Sequence, residues 1–372
     1  MVNEEIIEKF KVSGKLVDVK QIVAGNINKT YIATYEEDGE TKKYLIQQIN
    51  NYVFKNPYDV MNNIEDITKY LQSELDKKGD TTHKVLKVIR TIDDKNMVVH
   101  KNEQGIEEFY RAYNFIEDAI SYNASESAEV VRNAGKAFGN FQKLLSDYPI
   151  ENLAETIVDF HHTKNRFTNF EKSVEKDPVN RAKLVNKEIK FVLDRKEMCS
   201  YIVDKLERKE IPYRVTHNDT KVNNVMMNKE TGDFLAVVDL DTVMPGSVLY
   251  DYGDGIRSAA SSALEEETDL SKVFMQNEFF ESYTDGFLSE LAPYINEEEV
   301  KLMGQAIRIM TFECGMRFLN DYIDGDKYFK CTYENCNLDR ARNQFKLVED
   351  MENKMDYINS YIWESYNKYS KK

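Results

Sequence analysis

The chain has 372 residues, enough for one large domain or two ordinary ones with a sizeable buried core. Apolar residues make up 41%, and 23 Tyr and 19 Phe stand against only 15 Gly and 6 Pro, which excludes disordered, collagen-like and low-complexity chains. With 50 Lys and Arg against 65 Asp and Glu the net charge is −15, a sign that opposes binding to nucleic acid or an anionic membrane and requires that any phosphate be held by a focused pocket.

No run approaches the roughly 18 apolar residues of a membrane span, and the first 12 residues are acidic where a secretory leader is basic and apolar. A cytoplasmic protein is expected, acting on small molecules; the oligomeric state is open, with a monomer as the working expectation. Cys199, Cys314, Cys331 and Cys336 are too few and too scattered for a disulfide framework, and Cys331 and Cys336 have no His nearby to complete a metal site.

In chain order, 20–23 leads through Gly25-Asn26-Ile27-Asn28-Lys29-Thr30 into 31–35, and a turn at 37–40 leads into 43–49, which reads as three strands joined by short turns. Asn56-Pro57 is a cap with Pro at the first helical position, and Val60, Ile64, Ile67, Leu71 and Leu75 then recur at three- and four-residue steps, predicting a helix over 57–75. Segments 85–89, 97–100 and 109–116 supply further strands. Residues 1–117 are therefore expected to form a small lobe around a five- or six-stranded, mostly antiparallel sheet. Beyond Ile116 the apolar period becomes helical, as at Val130, Val131, Phe138, Phe141 and Leu144, so 118–372 is expected to be a larger, mainly helical lobe, giving an α+β, two-lobed chain. The exception is 213–257, where two short β-type runs flank a polar, Asn-rich segment.

That segment holds His217-Asn218-Asp219-Thr220-Lys221-Val222-Asn223-Asn224, followed by Val237-Val238-Asp239-Leu240-Asp241. The pattern is His-x-Asp-x4-Asn on a loop, then, 15 residues on, an Asp at the end of an apolar strand. Phosphoryl transfer needs such a set. One carboxylate takes or orients the attacking hydroxyl, and an Asn oxygen with a second carboxylate holds Mg2+ against the nucleotide phosphates. Taken singly, Asn and Asp here are turn formers. Together, their spacing, the strand before Asp239 and the order of sheet then helices point to an ATP- and Mg2+-dependent phosphotransferase.

These motifs resemble the catalytic and metal-binding motifs of the aminoglycoside phosphotransferase and choline kinase superfamily, whose fold is protein-kinase-like. More narrowly, the stretch from Val238 through Leu249-Tyr250-Asp251-Tyr252-Gly253-Asp254 is similar to the N-acetylhexosamine 1-kinases, bacterial enzymes that phosphorylate GlcNAc or GalNAc at the anomeric hydroxyl. So are Gly25-Asn26-Ile27-Asn28-Lys29-Thr30-Tyr31 and Thr311-Phe312-Glu313-Cys314-Gly315-Met316-Arg317-Phe318-Leu319. The resemblance spans most of the chain and implies ATP between two lobes, Asp219 as catalytic base, Asn224 and Asp239 as Mg2+ ligands, and His217 as a brace of the loop. Asp241 either adds a metal contact or caps the strand, and Asp251 and Asp254 are read as anchors of the catalytic loop.

Asn28 and Thr30 lie where the family covers the nucleotide or faces the sugar and are nucleotide-binding candidates. Gln47 is a third. It stands where kinases place the Lys that grips the nucleotide phosphates. A neutral amide donates a hydrogen bond but no charge, so Lys29 or the metal is expected to do more, and a helix carboxylate such as Glu65 would lack its cation. A kinase-like binding module without turnover is therefore a competing reading.

On the helix predicted over 297–323, Met303, Ile307, Met310, Cys314 and Arg317 fall on one stripe, so Arg317 points where apolar neighbours point. It is either an ion pair with a carboxylate such as Asp321 or a donor fork for sugar hydroxyls or phosphate. The resemblance favours the sugar pocket, with Tyr328 as a wall near the N-acetyl group, and places Asp159 and Phe160 close to the acceptor cleft. His161 and His162, adjacent on one segment, diverge and lack a third metal ligand. The expected activity is transfer of phosphate to the C1 hydroxyl of an N-acetylhexosamine, giving the sugar 1-phosphate and ADP; choline, homoserine or an aminoglycoside are the alternative acceptors, and the sequence does not separate GlcNAc from GalNAc.

Overall fold

The computed structural model describes residues 4–22 and 27–371, so Gly25 and Asn26 of the first turn lie outside the described residues. A short helix α1 (Glu4–Ile7) precedes strands β1 (Lys15–Ile22), β2 (Lys29–Glu37) and β3 (Glu40–Ile49). The β2–β3 hairpin turns on Asp38 and Gly39, both at positive φ, 53° and 82°, the geometry for which Asp-Gly is suited. Helix α2 (Pro57–Lys78) starts where Asn56-Pro57 predicts, with the Asn56 side chain accepting the Tyr58 N–H. It runs nearly a turn past 75, to a left-handed Gly79.

Strands β4 (Val98–Lys101) and β5 (Glu107–Asn114) complete a five-stranded antiparallel sheet in the order β1-β2-β3-β5-β4. The strand expected at 85–89 does not form. β4 takes the free edge of β5 from Glu107 to Tyr110, and beyond it Val88 makes only an isolated bridge to Tyr113. One sheet face packs on α2 through Met61, Ile64 and Ile67, which are fully buried and each contribute roughly 1.5–3 kcal/mol by leaving water. The other face, with Tyr31, Ala33, Ile46 and Ala112, is covered by Ile6, Ile7 and Phe10.

The remaining chain runs through β6 (Ala119–Ile120), α3 (Ala128–Leu144), α4 (Thr163–Lys176), α5 (Asn186–Leu193), α6 (Tyr201–Glu207), β7 (Arg214–Thr216), β8 (Val225–Asn228), β9 (Phe234–Val237), β10 (Met244–Gly246), α7 (Val248–Ala259), α8 (Asn277–Leu291), α9 (Glu297–Asp324), α10 (Cys336–Asn353) and α11 (Met355–Tyr369). Small sheets β6-β8-β9 and β10-β7 frame the polar segment, and their connections carry its motif residues. Helix α9 opens on a reciprocal Asn296–Glu299 cap and covers the span its apolar stripe predicts.

Helices α3 and α8 meet backbone to backbone. A Cβ on Gly135 would lie 2.3 Å from the Tyr283 carbonyl oxygen, and one on Gly286 2.1 Å from that of Arg132, so only glycine fits. In the same layer α3 sets Phe138, Phe141 and Gln142 beneath the segment that follows β7. Helix α2 also reaches across: Asn63 Nδ2 donates to the carbonyls of Ala154 (2.8 Å) and Val243 (2.9 Å) within a core that includes Leu240 and Val243. The sheet is thereby tied to the polar segment. Among the described residues no helix is long and apolar enough to cross a membrane.

Candidate active site

The loop after β7 is held from below by α7. Asp251 accepts the backbone N–H of His217 on Oδ2 (2.9 Å) and of Asn218 on Oδ1 (2.8 Å), and Gln142 Nε2 donates to Oδ2 (2.6 Å). Asp254 accepts the Thr220 N–H (3.1 Å) and Arg257 Nε (2.8 Å). Burial pushes Asp251 above the usual carboxylate range while His217 and the backbone donors pull it back. For Asp254 the same upward push is outweighed by Arg257 and Lys221, which hold it low. Both acids are anchors of the loop. Asn218 sits at φ 64°, a left-handed residue that these bonds keep in place.

His217 is a brace. It is fully buried, its Nδ1 accepts the Asp219 N–H (3.3 Å), and its Nε2 donates to the Val238 carbonyl (2.9 Å), a pair of bonds that assigns the proton to Nε2. Edge-on contacts from Phe138 and Phe141 fix the ring. The imidazole thus ties the Asp219 loop to the segment entering Asp239.

Asp219 is half-buried, with Lys221 Nζ 2.9 Å from Oδ1. Asn224 Nδ2 donates to the Asp219 carbonyl (2.8 Å) and to Oδ2 (3.2 Å), which leaves Asn224 Oδ1 as an acceptor with no partner among the described residues. Asp239 follows β9 in a left-handed conformation, φ 60°, and its carboxylate opens into the cleft without a hydrogen bond from the described residues. Although it is exposed at the cleft, desolvation by the neighbouring protein, then repulsion from Asp241 and Asp219, pushes it up to about 7 against the pull of Arg111 and Lys221.

Asp239 and Asn224 Oδ1 are hard oxygen donors, and the excess negative charge around Asp239 is what a divalent cation would relieve, so this donor set fits Mg2+. Among the described residues no three His, Cys, Asp or Glu side chains group to hold a metal. A nucleotide-bound Mg2+ takes few protein ligands, since phosphates and waters fill most of its positions.

The sheet contributes a residue that the sequence reading missed. Arg111 on β5 stands directly across from Gln47 on β3, is 1% exposed, and donates through Nε (3.0 Å) and Nη2 (2.8 Å) to Gln47 Oε1. Its Nη1 forms an ion pair with Asp241, which keeps the guanidinium charged against the opposing effect of burial. Gln47 Nε2 donates to the hydroxyl of buried Thr30 (3.1 Å), and Asn28 Nδ2 donates to Asp241 Oδ2 (2.6 Å). Asn28, Thr30 and Gln47 therefore join one network with Asp241, which links the sheet to the segment after β9 rather than capping it. A cation does stand beside neutral Gln47, as its cross-strand neighbour, but it is buried and paired with Asp241, whereas Lys29 is exposed. Nor is Glu65 without a cation. It is paired with Arg90 and with Lys69, 2.8 Å away. The signal for Arg111 was an arginine inside the apolar run Phe109-Tyr110-Arg111-Ala112-Tyr113; the signal for Lys221 was its place two residues after Asp219.

Arg317 and Tyr328 meet on another side of the loop. The Arg317 guanidinium lies 5.2, 5.4 and 6.0 Å from the ring centroids of Phe160, Phe329 and Tyr328. The ion pair with Asp321 is absent: that carboxylate accepts the backbone N–H groups of Lys327, Tyr328 and Phe329 at 2.8–2.9 Å and Asn337 Nδ2 at 3.0 Å. His161, tilted against Phe160, connects this pocket to the loop through Nε2 to the Asn218 carbonyl (3.3 Å) and Nδ1 to Glu313 (2.8 Å). His162 instead caps α4, so the two histidines diverge.

The model of the phosphotransferase enzyme family matches residues 18–274. Solved structures share the fold over nearly the whole chain. A microcompartment-associated aminopropanol kinase superposes with a TM-score of 0.66 at 13% identity, covering 96% of this chain and 97% of that one. A choline kinase from Cryptosporidium parvum gives 0.61 at 12% identity, covering 97% and 100%. An amicoumacin kinase solved with AMP-PNP and Ca2+ gives 0.60 at 13% identity, covering 92% and 90%. At these identities the likeness establishes the kinase-like fold, a small antiparallel-sheet lobe with a helical remainder.

Proposed function

Because the chain belongs to the phosphotransferase enzyme family, we propose that it is an ATP-dependent small-molecule kinase whose acceptor is the anomeric hydroxyl of an N-acetylhexosamine, GlcNAc or GalNAc, with the sugar 1-phosphate and ADP as products. The observation that carries the kinase reading is the convergence of Asp219, Asn224 Oδ1 and an Asp239 carboxylate that no described residue hydrogen-bonds, in an acid-rich cleft. In this reading residues 1–117 carry the nucleotide sheet and 118–372 the catalytic loop and acceptor site.

Asp219 takes the proton of the acceptor hydroxyl as that oxygen bonds to the γ-phosphorus and the bond to the ADP oxygen breaks. Mg2+ held by Asp239 and Asn224, as a nucleotide complex, would neutralise charge on the phosphate oxygens; the amicoumacin kinase bound an ATP analogue with a divalent ion. Lys221 steadies the Asp219 carboxylate and brings positive charge beside the reacting oxygens. Arg111, through Asp241, ties Asn28 at the start of β2 to the segment after β9. His217 keeps Asp219 and Asp239 in register. Most of the acceleration then comes from positioning and fixed charge.

The sugar assignment is supported by the resemblance in 25–31, 238–254 and 311–319 and by the aromatic-walled pocket around Arg317. A quaternary ammonium or polycationic acceptor wants aromatic faces free of a resident cation, and here Arg317 already occupies them. ADP release with Mg-ATP against GlcNAc, GalNAc, glucose, choline, homoserine and kanamycin, with phosphorus NMR of any product, tests both levels. Turnover of GlcNAc or GalNAc to an anomeric phosphate is expected. Turnover of choline alone would end the sugar reading, and nucleotide binding without turnover of any acceptor would make the protein a binding module.

A further inference from the structure

Of the 13 arginines, 11 form ion pairs with carboxylates. The two that do not pair with a carboxylate among the described residues, Arg166 and Arg317, sit on the same aromatic ring, 5.9 and 5.2 Å from the centroid of Phe160. In a chain of net charge −15 two guanidinium groups thus stand on one ring with no carboxylate in contact, Glu313 and Asp159 acting on Arg166 only from a distance. The acids that approach are engaged elsewhere: Glu313 by His161 (2.8 Å) and Thr163 (2.6 Å), Asp159 by Asn165 (2.9 Å), and Asp321 by backbone amides. Arg166 donates Nε and Nη2 to the Phe160 carbonyl at 3.1 and 2.9 Å, which aims the guanidinium and leaves Nη1 without a partner among the described residues. Arg317 has no hydrogen bond or ion pair with any described residue. Burial first, and then the neighbouring Arg317, push Arg166 down to about 10.

Guanidinium forks match the geometry of oxyanions, and a pair of them without carboxylate partners lowers its repulsion by taking an anion between them. The flanking rings of Phe160, Tyr328 and Phe329 suit the C–H face of a sugar. We propose that Arg166 and Arg317 form an anion subsite of the acceptor pocket and that the preferred acceptor is an acidic hexosamine, bearing a carboxylate or sulfate besides its anomeric hydroxyl. This rests on the kinase reading above and narrows its acceptor.

The test compares kcat/KM for GlcNAc, GlcNAc 6-sulfate and the 6-carboxylate of GlcNAc in the wild type and in Arg166→Gln, Arg166→Lys and Arg317→Gln, with circular dichroism to confirm folding. The expected result is a preference of at least about tenfold for one acidic acceptor, the better arm naming the anion. The preference collapses toward one in Arg166→Gln and returns in part in Arg166→Lys. Equal or better use of neutral GlcNAc overturns the proposal. So does a proportional loss on all acceptors in Arg166→Gln, which would assign the pair to the transferring phosphate. Should no hexosamine react, the acceptor reading falls, and the subsite is read directly from titration of inorganic sulfate into the Mg-ADP-bound protein, followed by NMR of the arginine Nε–H groups. A saturable shift lost in Arg166→Gln upholds an anion site; no shift ends it.

Discussion

Two sets of acids border the loop after β7, and the fold treats them oppositely. Asp251 and Asp254 are met on both oxygens by backbone amides, Gln142 or Arg257. Asp239 is met by none of the described residues and is left to repel Asp219 and Asp241. The arginines divide in the same way, Arg257 and Arg111 being paired and Arg166 and Arg317 not. Where a buried polar group only holds structure, its partners are internal; where charge is left uncompensated in an open cleft, a ligand is the partner that is missing.

The sharpest test of this contrast is at the loop it surrounds. Asp219→Asn should lower kcat by about 10²–10⁴-fold while the affinity for nucleotide and the melting temperature stay close to wild type, as measured by ADP release and calorimetry. Turnover near the wild-type rate would remove Asp219 as the base. Arg111→Met should cost about 3–5 kcal/mol in denaturant unfolding, because it strands Asp241 and Gln47 in a buried network. A stable, fully active Arg111→Met would show that the cross-strand cation is dispensable.

Asp251→Ala and Asp239→Asn should have opposite signs. The first leaves the donors of His217, Asn218 and Gln142 unmatched and should destabilise by about 2–4 kcal/mol; the second removes a repelled charge and should leave the metal-free protein as stable or more so. Destabilisation by both would dissolve the distinction.

A gentler version uses pH. Asp239 is raised in the fold to about 7, so its contribution to stability is complete below the ordinary carboxylate range and lost as pH rises through about 7. Mg2+ should therefore raise the melting temperature more at pH 8 than at pH 5.5, and this difference should vanish in Asp239→Asn. Smallest in stability is Tyr328→Ala, half-exposed beside Arg317 in the proposed acceptor pocket, expected to change unfolding by less than about 0.5 kcal/mol while raising the acceptor KM.

Much of this molecule was legible in one dimension. The cap at Asn56-Pro57, the period through α2 and α9, and the spacing of Asp219, Asn224 and Asp239 depend on residues near each other in the chain, and local geometry translates such patterns directly into structure. The strand expected at 85–89 shrank to one bridge, Val88 to Tyr113, because β4 pairs β5 from Glu107 to Tyr110 and leaves only a short stretch of that edge for it. Gln47 looked like a lost cation for a similar reason: the register that sets Arg111 beside it is a property of the sheet. For Arg317 the sequence left an ion pair with Asp321 one helical turn away as one of two readings, and the chain beyond α9 folds back to claim that carboxylate with its backbone. Patterning along the chain thus decides the helices and most of the strands, and it marks the acidic and amide side chains proposed for phosphate transfer. Which charges end up neutralised, and which are left waiting for nucleotide, metal or acceptor, depends on partners far away in sequence and is decided by strand register and helix packing alone.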